Sequence, residues 1–245
     1  MKPYYEEGNI KIYHGNCLEV LPEIQGIDGF ITSPPYNLGS RYADITPAAL
    51  QGKWNRQVTY ESWNDNLPED EYVKWQQDVI AMMWNKLPDN GSIFYNHRPR
   101  IQNGECWHRL NLIPENVTLR QIIIWARPKG HNFNDGYFVP SFEWIFMLAK
   151  KDFKLAKQAC GLGDVWYMKP AGDEDGDHPA PFPESLPNYV IGATNLEMFC
   201  DPFSGSGTTL VAAKNLGRKA VGIEIEEKYC EIAAKRLSQE VFSFE

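Results

Sequence analysis

The tetrapeptide Ser33-Pro34-Pro35-Tyr36 follows the apolar run Gly29-Phe30-Ile31-Thr32, and its residue types suit an exocyclic amino group. Proline fixes φ and has no amide hydrogen. A diproline can therefore aim a backbone carbonyl at one N–H of an amine while the Ser33 hydroxyl accepts the other. Two acceptors so placed favour a tetrahedral nitrogen and localise the lone pair that an aromatic amine spreads into its ring. Tyr36 supplies a flat face for a base turned out of a duplex, since attack on a methyl group cannot be reached within the stack. Taken alone, the tetrapeptide reads equally well as a turn after a strand.

A second stretch supplies what the first lacks. Asp201-Pro202-Phe203-Ser204-Gly205-Ser206-Gly207-Thr208-Thr209 follows an apolar strand pattern and opens a helical one, with glycines that let the backbone turn tightly against a ligand. A dinucleotide fingerprint would place a third glycine where this chain has Leu210,. A carboxylate at the strand end also repels a pyrophosphate. It suits a ligand with sulfonium and ammonium groups, as S-adenosylmethionine has. Glu224 ends the next strand pattern, Val221-Gly222-Ile223-Glu224, where an acid can accept from both ribose hydroxyls.

Elements with the right spacing exist to carry both stretches. Strand-like and helix-like patterns alternate along the chain, which predicts an α/β fold with a mostly parallel sheet. Strands are expected at Ile10–Tyr13, Gly29–Thr32, Ser92–Tyr95, Gln121–Ala126, Trp144–Ala149, Glu197–Cys200 and Ala220–Ile225, and helices at Tyr72–Leu87, Thr208–Leu216 and Tyr229–Leu237. Trp75, Trp84, Trp125 and Trp144 fall on these patterns and read as core; His97 and His108 receive no role. Residues 39–66 and 129–141 lack periodicity and read as binding loops, and 169–187 as a surface crossing. The 245 residues are expected to form one domain, 1–245.

Composition bounds the rest. No apolar run reaches the roughly 18 to 20 residues of a membrane span, and the five cysteines show neither C-x-x-C pairs nor metal-ligand spacing. A metal-free cytoplasmic protein with free thiols is expected. The net charge of −8 argues against nucleic acid at first sight. Yet Asn96 to Lys157 holds ten basic side chains against five acidic, while Asp164 to Asp201 holds eight acids against one lysine, so faces of opposite sign are expected.

Thr32-Ser33-Pro34-Pro35-Tyr36-Asn37 and Asp201-Pro202-Phe203-x-Gly205-x-Gly207-Thr208-Thr209, with His178-Pro179-Ala180-Pro181-Phe182-Pro183-Glu184 ahead of the latter, resemble the amino-methylating DNA methyltransferases. The catalytic motif precedes the cofactor motif, the permuted order of that family. The resemblance spans nearly the whole chain. It implies a Rossmann-like, S-adenosylmethionine-dependent methyltransferase fold with a seven-stranded mixed sheet flanked by helices, and S-adenosylhomocysteine as product. It implies that Ser33, Pro34, Pro35 and Tyr36 hold the base, and that Asp201, Pro202, Phe203, Ser204, Gly205, Gly207, Thr208 and Glu224 bind the cofactor. His178 and Pro179 would cover the cofactor's methionine end, and Asn16, where many relatives have Asp, would face its adenine. Members with Ser first and an H-P-A-x-F-P segment mostly modify cytosine N4, whereas adenine-N6 members mostly carry Asp or Asn; cytosine N4 is favoured and adenine N6 stays open.

DNA contacts are expected from Arg41, Lys53 and Arg56, interleaved with Tyr42, Trp54 and Tyr60, and from Arg127, Lys129, His131 and Asn132,. No block of 80 or more residues is left over for target recognition, which leaves a short site read by loops, a homodimer, or low selectivity. Two rivals stay open. One is a catalytically silent regulatory subunit of the same fold; the other is the same chemistry on RNA or a protein glutamine. Restriction-modification, regulation and viral protection are all compatible with the sequence.

Overall fold

A computed structural model describes residues 1–37, 62–102, 104–127, 135–169 and 182–239. Within them a nine-stranded mixed sheet runs in the order β1-β2-β11-β10-β3-β4-β8-β7-β9. Its centre is parallel: β2 (Ile10–His14), β11 (Lys219–Glu224), β10 (Met198–Asp201), β3 (Gly29–Thr32) and β4 (Ser92–His97) all point the same way. Beyond β4, β8 (Phe142–Ala149) runs antiparallel to both β4 and β7 (Leu119–Ala126).

The sheet carries two more strands than the expected seven. They are β1 (Tyr5–Glu7), paired antiparallel to β2, and β9 (Val165–Tyr167), paired parallel to β7. Both are three residues long and lie at the two edges, so neither carries a period long enough to register as a strand pattern. A separate hairpin joins β5 (Arg100–Gln102) to β6 (Glu105–Trp107).

Each central strand divides its side chains between two helical layers. Ile31, Phe94 and Phe199 enter a core with Leu186, Val190, Leu210 and Ala233, from α3 (Ser185–Gly192), α4 (Thr208–Asn215) and α5 (Glu227–Ser238). Phe30, Ile93, Tyr95, Cys200 and Val221 face the other way, onto α1 (Cys17–Val20) and α2 (Glu69–Lys86). All residues of β3 and β4 are buried, as expected of parallel strands covered on both faces. Helix α3 begins inside the stretch expected to be a surface crossing. Pro187 obscured it, yet a proline in the first turn removes no helical hydrogen bond, and Leu186, Val190 and Ile191 are buried.

The tryptophans are partly as expected: Trp84 and Trp125 are buried, while Trp75 and Trp144 are partly buried at the edge of the core. Among the described residues no helix is long and apolar enough to cross a membrane, and no cluster of His, Cys, Asp or Glu could hold a metal ion.

Candidate active site

The parallel strands end along one edge, and the sequence motifs meet there. Asp201 closes β10 with only 1% of its surface exposed. Its Oδ1 accepts from Thr32 Oγ1 at 2.6 Å and from the Phe203 amide at 3.1 Å, and its Oδ2 from Thr209 Oγ1 at 2.7 Å. Burial pushes the carboxyl up to about 6, and these three hydrogen bonds pull against it,. The charge thus faces inward, as a tie between β3, the glycine loop and α4. That differs from the sequence argument, which aimed this carboxylate at a cationic ligand.

The loop itself needs its glycines. Gly205 and Gly207 have φ of 50° and 82°, and a Cβ on Gly207 would lie 2.8 Å from that of Ala233 on α5,. Glu224 holds the loop from the neighbouring strand: one carboxylate oxygen accepts from the Gly205 amide at 2.7 Å, the other from the Glu226 amide at 2.9 Å. Burial, with lesser help from the charges of Asp201 and Glu226, raises Glu224 to about 7. Each oxygen keeps a lone pair for an outside donor. Among the described residues Ser204 Oγ is buried without a partner. Asn16 lies beside this corner, because the Gly15 amide donates to the Glu224 carbonyl at 2.9 Å. Its own Oδ1 caps α1 through the Leu18 amide at 3.0 Å,.

Thr32, hydrogen-bonded to Asp201, is followed directly by Ser33. The Tyr36 hydroxyl donates to Glu143 Oε2 at 3.1 Å and lies 3.0 Å from Ser33 Oγ. Asn96 Nδ2 donates to both the Tyr36 hydroxyl, at 2.8 Å, and Glu143 Oε2, at 2.7 Å. Arg127 Nη1 pairs with the other Glu143 oxygen at 2.9 Å. Asn96 Oδ1 is buried without a partner among the described residues. Burial and then the charge of Glu143 hold the Tyr36 phenol well above its ordinary range.

Behind the diproline sits a second network. The Tyr72 hydroxyl donates to the Pro35 carbonyl at 2.8 Å, and the Arg98 amide donates to His97 Nδ1 at 2.9 Å. The His97 ring hydrogen is therefore assigned to Nε2, which donates to the Tyr72 oxygen at 2.8 Å,. Gln76 Nε2 donates to the same oxygen at 2.8 Å, and Tyr95 donates to Gln76 Oε1. Burial, followed by the charge of Arg109, drives His97 down to about 3, so the ring is neutral. It stacks on Tyr36 with centroids 4.5 Å apart and planes at 29°, and the Arg98 guanidinium lies 5.9 Å from the Tyr36 centroid.

The expected site residues divide accordingly. Ser33, Pro34, Pro35 and Tyr36 gather at the strand edge with Asp201, Pro202, Phe203, Ser204, Gly205, Gly207, Thr208, Glu224 and Asn16. His178, Pro179, Arg41, Lys53, Arg56, Lys129 and His131 lie outside the described residues. Arg127, expected on DNA, pairs with Glu143 and keeps 22% of its side chain exposed. Two other arginines of the basic stretch turn inward, Arg100 and Arg109, which pair with Glu69, while the exposed Arg120 donates to the carbonyls of Lys150 and Phe153. Sequence reasoning missed Tyr72, Gln76, Asn96, His97 and Glu143. The signal was present in polar residues, Asn96-His97 and Glu143, at the ends of otherwise apolar strands.

Comparison with known proteins identifies the arrangement. A family model described as DNA methylase matches residues 27–235. The Type II methyltransferase M2.MboI of Moraxella bovis is 30% identical over 96% of this chain and 91% of its own. The DNA adenine methyltransferase YhdJ of Escherichia coli K12 is 25% identical over 92% of this chain and 82% of its own. Among solved structures, PvuII DNA methyltransferase, titled cytosine-N4-specific, matches with a TM-score of 0.76 at 20% identity, covering 99% of this chain and 91% of that one. The M1.HpyAVI–SAM complex matches with a TM-score of 0.66 at 23% identity, covering 94% of this chain and 100% of that one. With its family model spanning both the tetrapeptide and the glycine loop, this chain belongs to the DNA methylase family.

Proposed function

We propose that this DNA methylase transfers a methyl group from S-adenosylmethionine to the exocyclic amino group of a flipped base, cytosine N4 by preference, and that residues 1–245 act as one methyltransferase domain. One observation carries the reading: Thr32 hydrogen-bonds Asp201 of the glycine loop, and Ser33 comes next in the chain. A donor pocket and an acceptor pocket thus stand one peptide unit apart.

The residues fit the cofactor. Glu224 has lone pairs for ribose hydroxyls, Ser204 Oγ lacks a partner among the described residues, and the left-handed turn at Gly205 and Gly207 allows close backbone approach. Asn16 stands beside Glu224 for the adenine. The bound sulfonium supplies the electrophilic methyl. The M1.HpyAVI structure titled as a SAM complex, which has the same fold, supports this choice.

On the base side the chain's own groups position and polarise. Because the Tyr36 hydrogen goes to Glu143, Ser33 donates its hydrogen to Tyr36 and turns its lone pairs outward to accept an amino hydrogen. The Pro34 carbonyl takes the second amino hydrogen. Tyr72 holds the Pro35 carbonyl, and His97 backs Tyr36, so that ring is fixed before a base arrives. Serine as the first residue favours cytosine, while the adenine methyltransferase among the relatives keeps adenine N6 as a second reading. Incubating the protein with labelled cofactor and duplex DNA, then digesting to nucleosides, tests both. N4-methylcytosine is expected; N6-methyladenine overturns the base assignment, and no transfer to any duplex overturns the reading.

A further inference from the structure

We infer that Ser33, Tyr36 and Glu143 form a proton relay that takes the proton released by the methylated amino group into a buried carboxylate. The inference deepens the amino-methylation reading and rests on it.

The direction of each hydrogen bond carries the argument. Glu143 as a carboxylate only accepts, so the 3.1 Å contact fixes the Tyr36 hydrogen on the Glu143 side,. The Ser33 hydrogen must then point at Tyr36 across the 3.0 Å contact. Every link runs from the strand edge toward Glu143, and none opposes it.

The chemistry balances along this line. An amino nitrogen that has gained a methyl group carries a positive charge and one hydrogen too many. Its N–H bond breaks and the proton bonds to Ser33 Oγ. Ser33 passes its own hydrogen to Tyr36 Oη, Tyr36 passes its hydrogen to Glu143 Oε2, and the carboxylate becomes a carboxylic acid. The positive charge on nitrogen and the negative charge on Glu143 are both cancelled, in surroundings where leaving them apart is costly. Departure of product opens Ser33 to water, and the proton leaves by the same path.

The surrounding residues fix that terminus in place and keep it ionised until a proton arrives. Glu143 is 6% exposed, and Arg127 and Asn96 hold its two oxygens. A serine is a poor base on its own, so a site built on Ser33 needs its negative charge elsewhere. Glu143 is a carboxylate connected to Ser33 through one hydroxyl. The raised phenol of Tyr36 is consistent with a group that passes a proton on without keeping the charge.

Single-turnover methylation of duplex DNA by the full chain, with cofactor and duplex affinities measured in parallel, tests the relay. Tyr36→Phe keeps the ring and removes one oxygen; Glu143→Gln keeps the shape and removes the carboxylate. Both are expected to slow transfer by about 100-fold, the scale of a lost general base, with cofactor and duplex affinity unchanged. Glu143→Asp is expected to recover part of the loss. Should Glu143→Gln lose cofactor binding through misfolding, Tyr36→Phe decides alone. Wild-type rates in Tyr36→Phe overturn the relay while leaving amino methylation standing, whereas a wild-type protein that methylates no duplex overturns the reading beneath it.

Discussion

The two halves of the active-site edge are built on different plans. On the cofactor side, Asp201, Gly205, Gly207 and Glu224 come from one strand-loop-helix-strand unit within 24 residues, and their polar atoms bond mostly to that unit. On the base side, Ser33 and Tyr36 depend on Tyr72 and Gln76 from α2, Asn96 and His97 from β4, Arg127 beyond β7 and Glu143 from β8. A local unit is a pocket wherever the chain folds. A gathered one exists only if several long-range pairings are in register.

Substitutions should expose that contrast. The largest effect is expected from Asp201→Ala, which strands the Thr32, Thr209 and Phe203 donors in a buried site. That should cost about 3 kcal/mol or more, roughly 6 to 12 °C of melting temperature for a chain of this size. Cofactor affinity should fall with it. Calorimetry showing an unchanged melting temperature would break the idea that this side is held by its own hydrogen bonds.

Tyr36→Ala should leave cofactor affinity nearly intact while slowing methyl transfer by the ~100-fold expected of Tyr36→Phe and by a further ~10- to 100-fold, the worth of one stacked base. Loss of cofactor binding in this variant would mean that the two sides are not separable. Smaller still in rate is Tyr72→Phe, which removes the hydrogen bond to the Pro35 carbonyl and the acceptor shared by His97 Nε2 and Gln76 Nε2; a rate loss of about 5- to 10-fold is expected from the freed Pro35 carbonyl, a contribution near ~1 kcal/mol, and the two stranded donors should lower the melting temperature as well. Cofactor affinity measured on the same variant should not move.

The pH dependence sharpens the same contrast, because the titrating carboxylates of the cofactor unit are both raised by burial. Asp201 stands near 6 and Glu224 near 7, against ordinary values of 3.8 and 4.5. Between the ordinary and the raised values the folded chain holds more protons than the unfolded one. Their contribution to stability is therefore greatest below about 4 and is lost as pH rises through 6 to 7. Melting curves of wild type and Glu224→Gln should differ in slope over that window and run parallel above it. Cofactor affinity should change in the opposite sense, weakening as Glu224 takes a proton; a pH-independent dissociation constant from 6 to 8 would remove Glu224 from cofactor binding.

The same contrast explains what the sequence disclosed. The cofactor unit was legible because contiguous residues carry it: an apolar strand, a glycine turn and an acid at the next strand end. The base side was legible only in its tetrapeptide. The strand expected at Ser92–Tyr95 stops just short of Asn96 and His97, and the one expected at Trp144–Ala149 begins one residue after Glu143. In the structure β4 and β8 each extend outward, and His97 pairs with Trp144 across the ladder. Apolar periodicity ends strands where polarity begins, and a buried polar cluster at a strand end is cut away by that rule. Charge was legible only as a count for a related reason: composition shows a basic stretch, but only folding shows that Arg100 and Arg109 are buried against Glu69 and that Arg127 pairs with Glu143.

The hydrogen bond from Thr32 to Asp201 has a bearing on how such a protein is written along its chain. It crosses from β3 to β10 sideways, between residues 169 positions apart. What sets the spacing of donor and acceptor is adjacency in the sheet, and the route of the backbone between the two strands does not enter it. Strand neighbours can be kept while the segments that bear them trade places in the gene, so the order in which the two motifs are read is free to change while their distance is not.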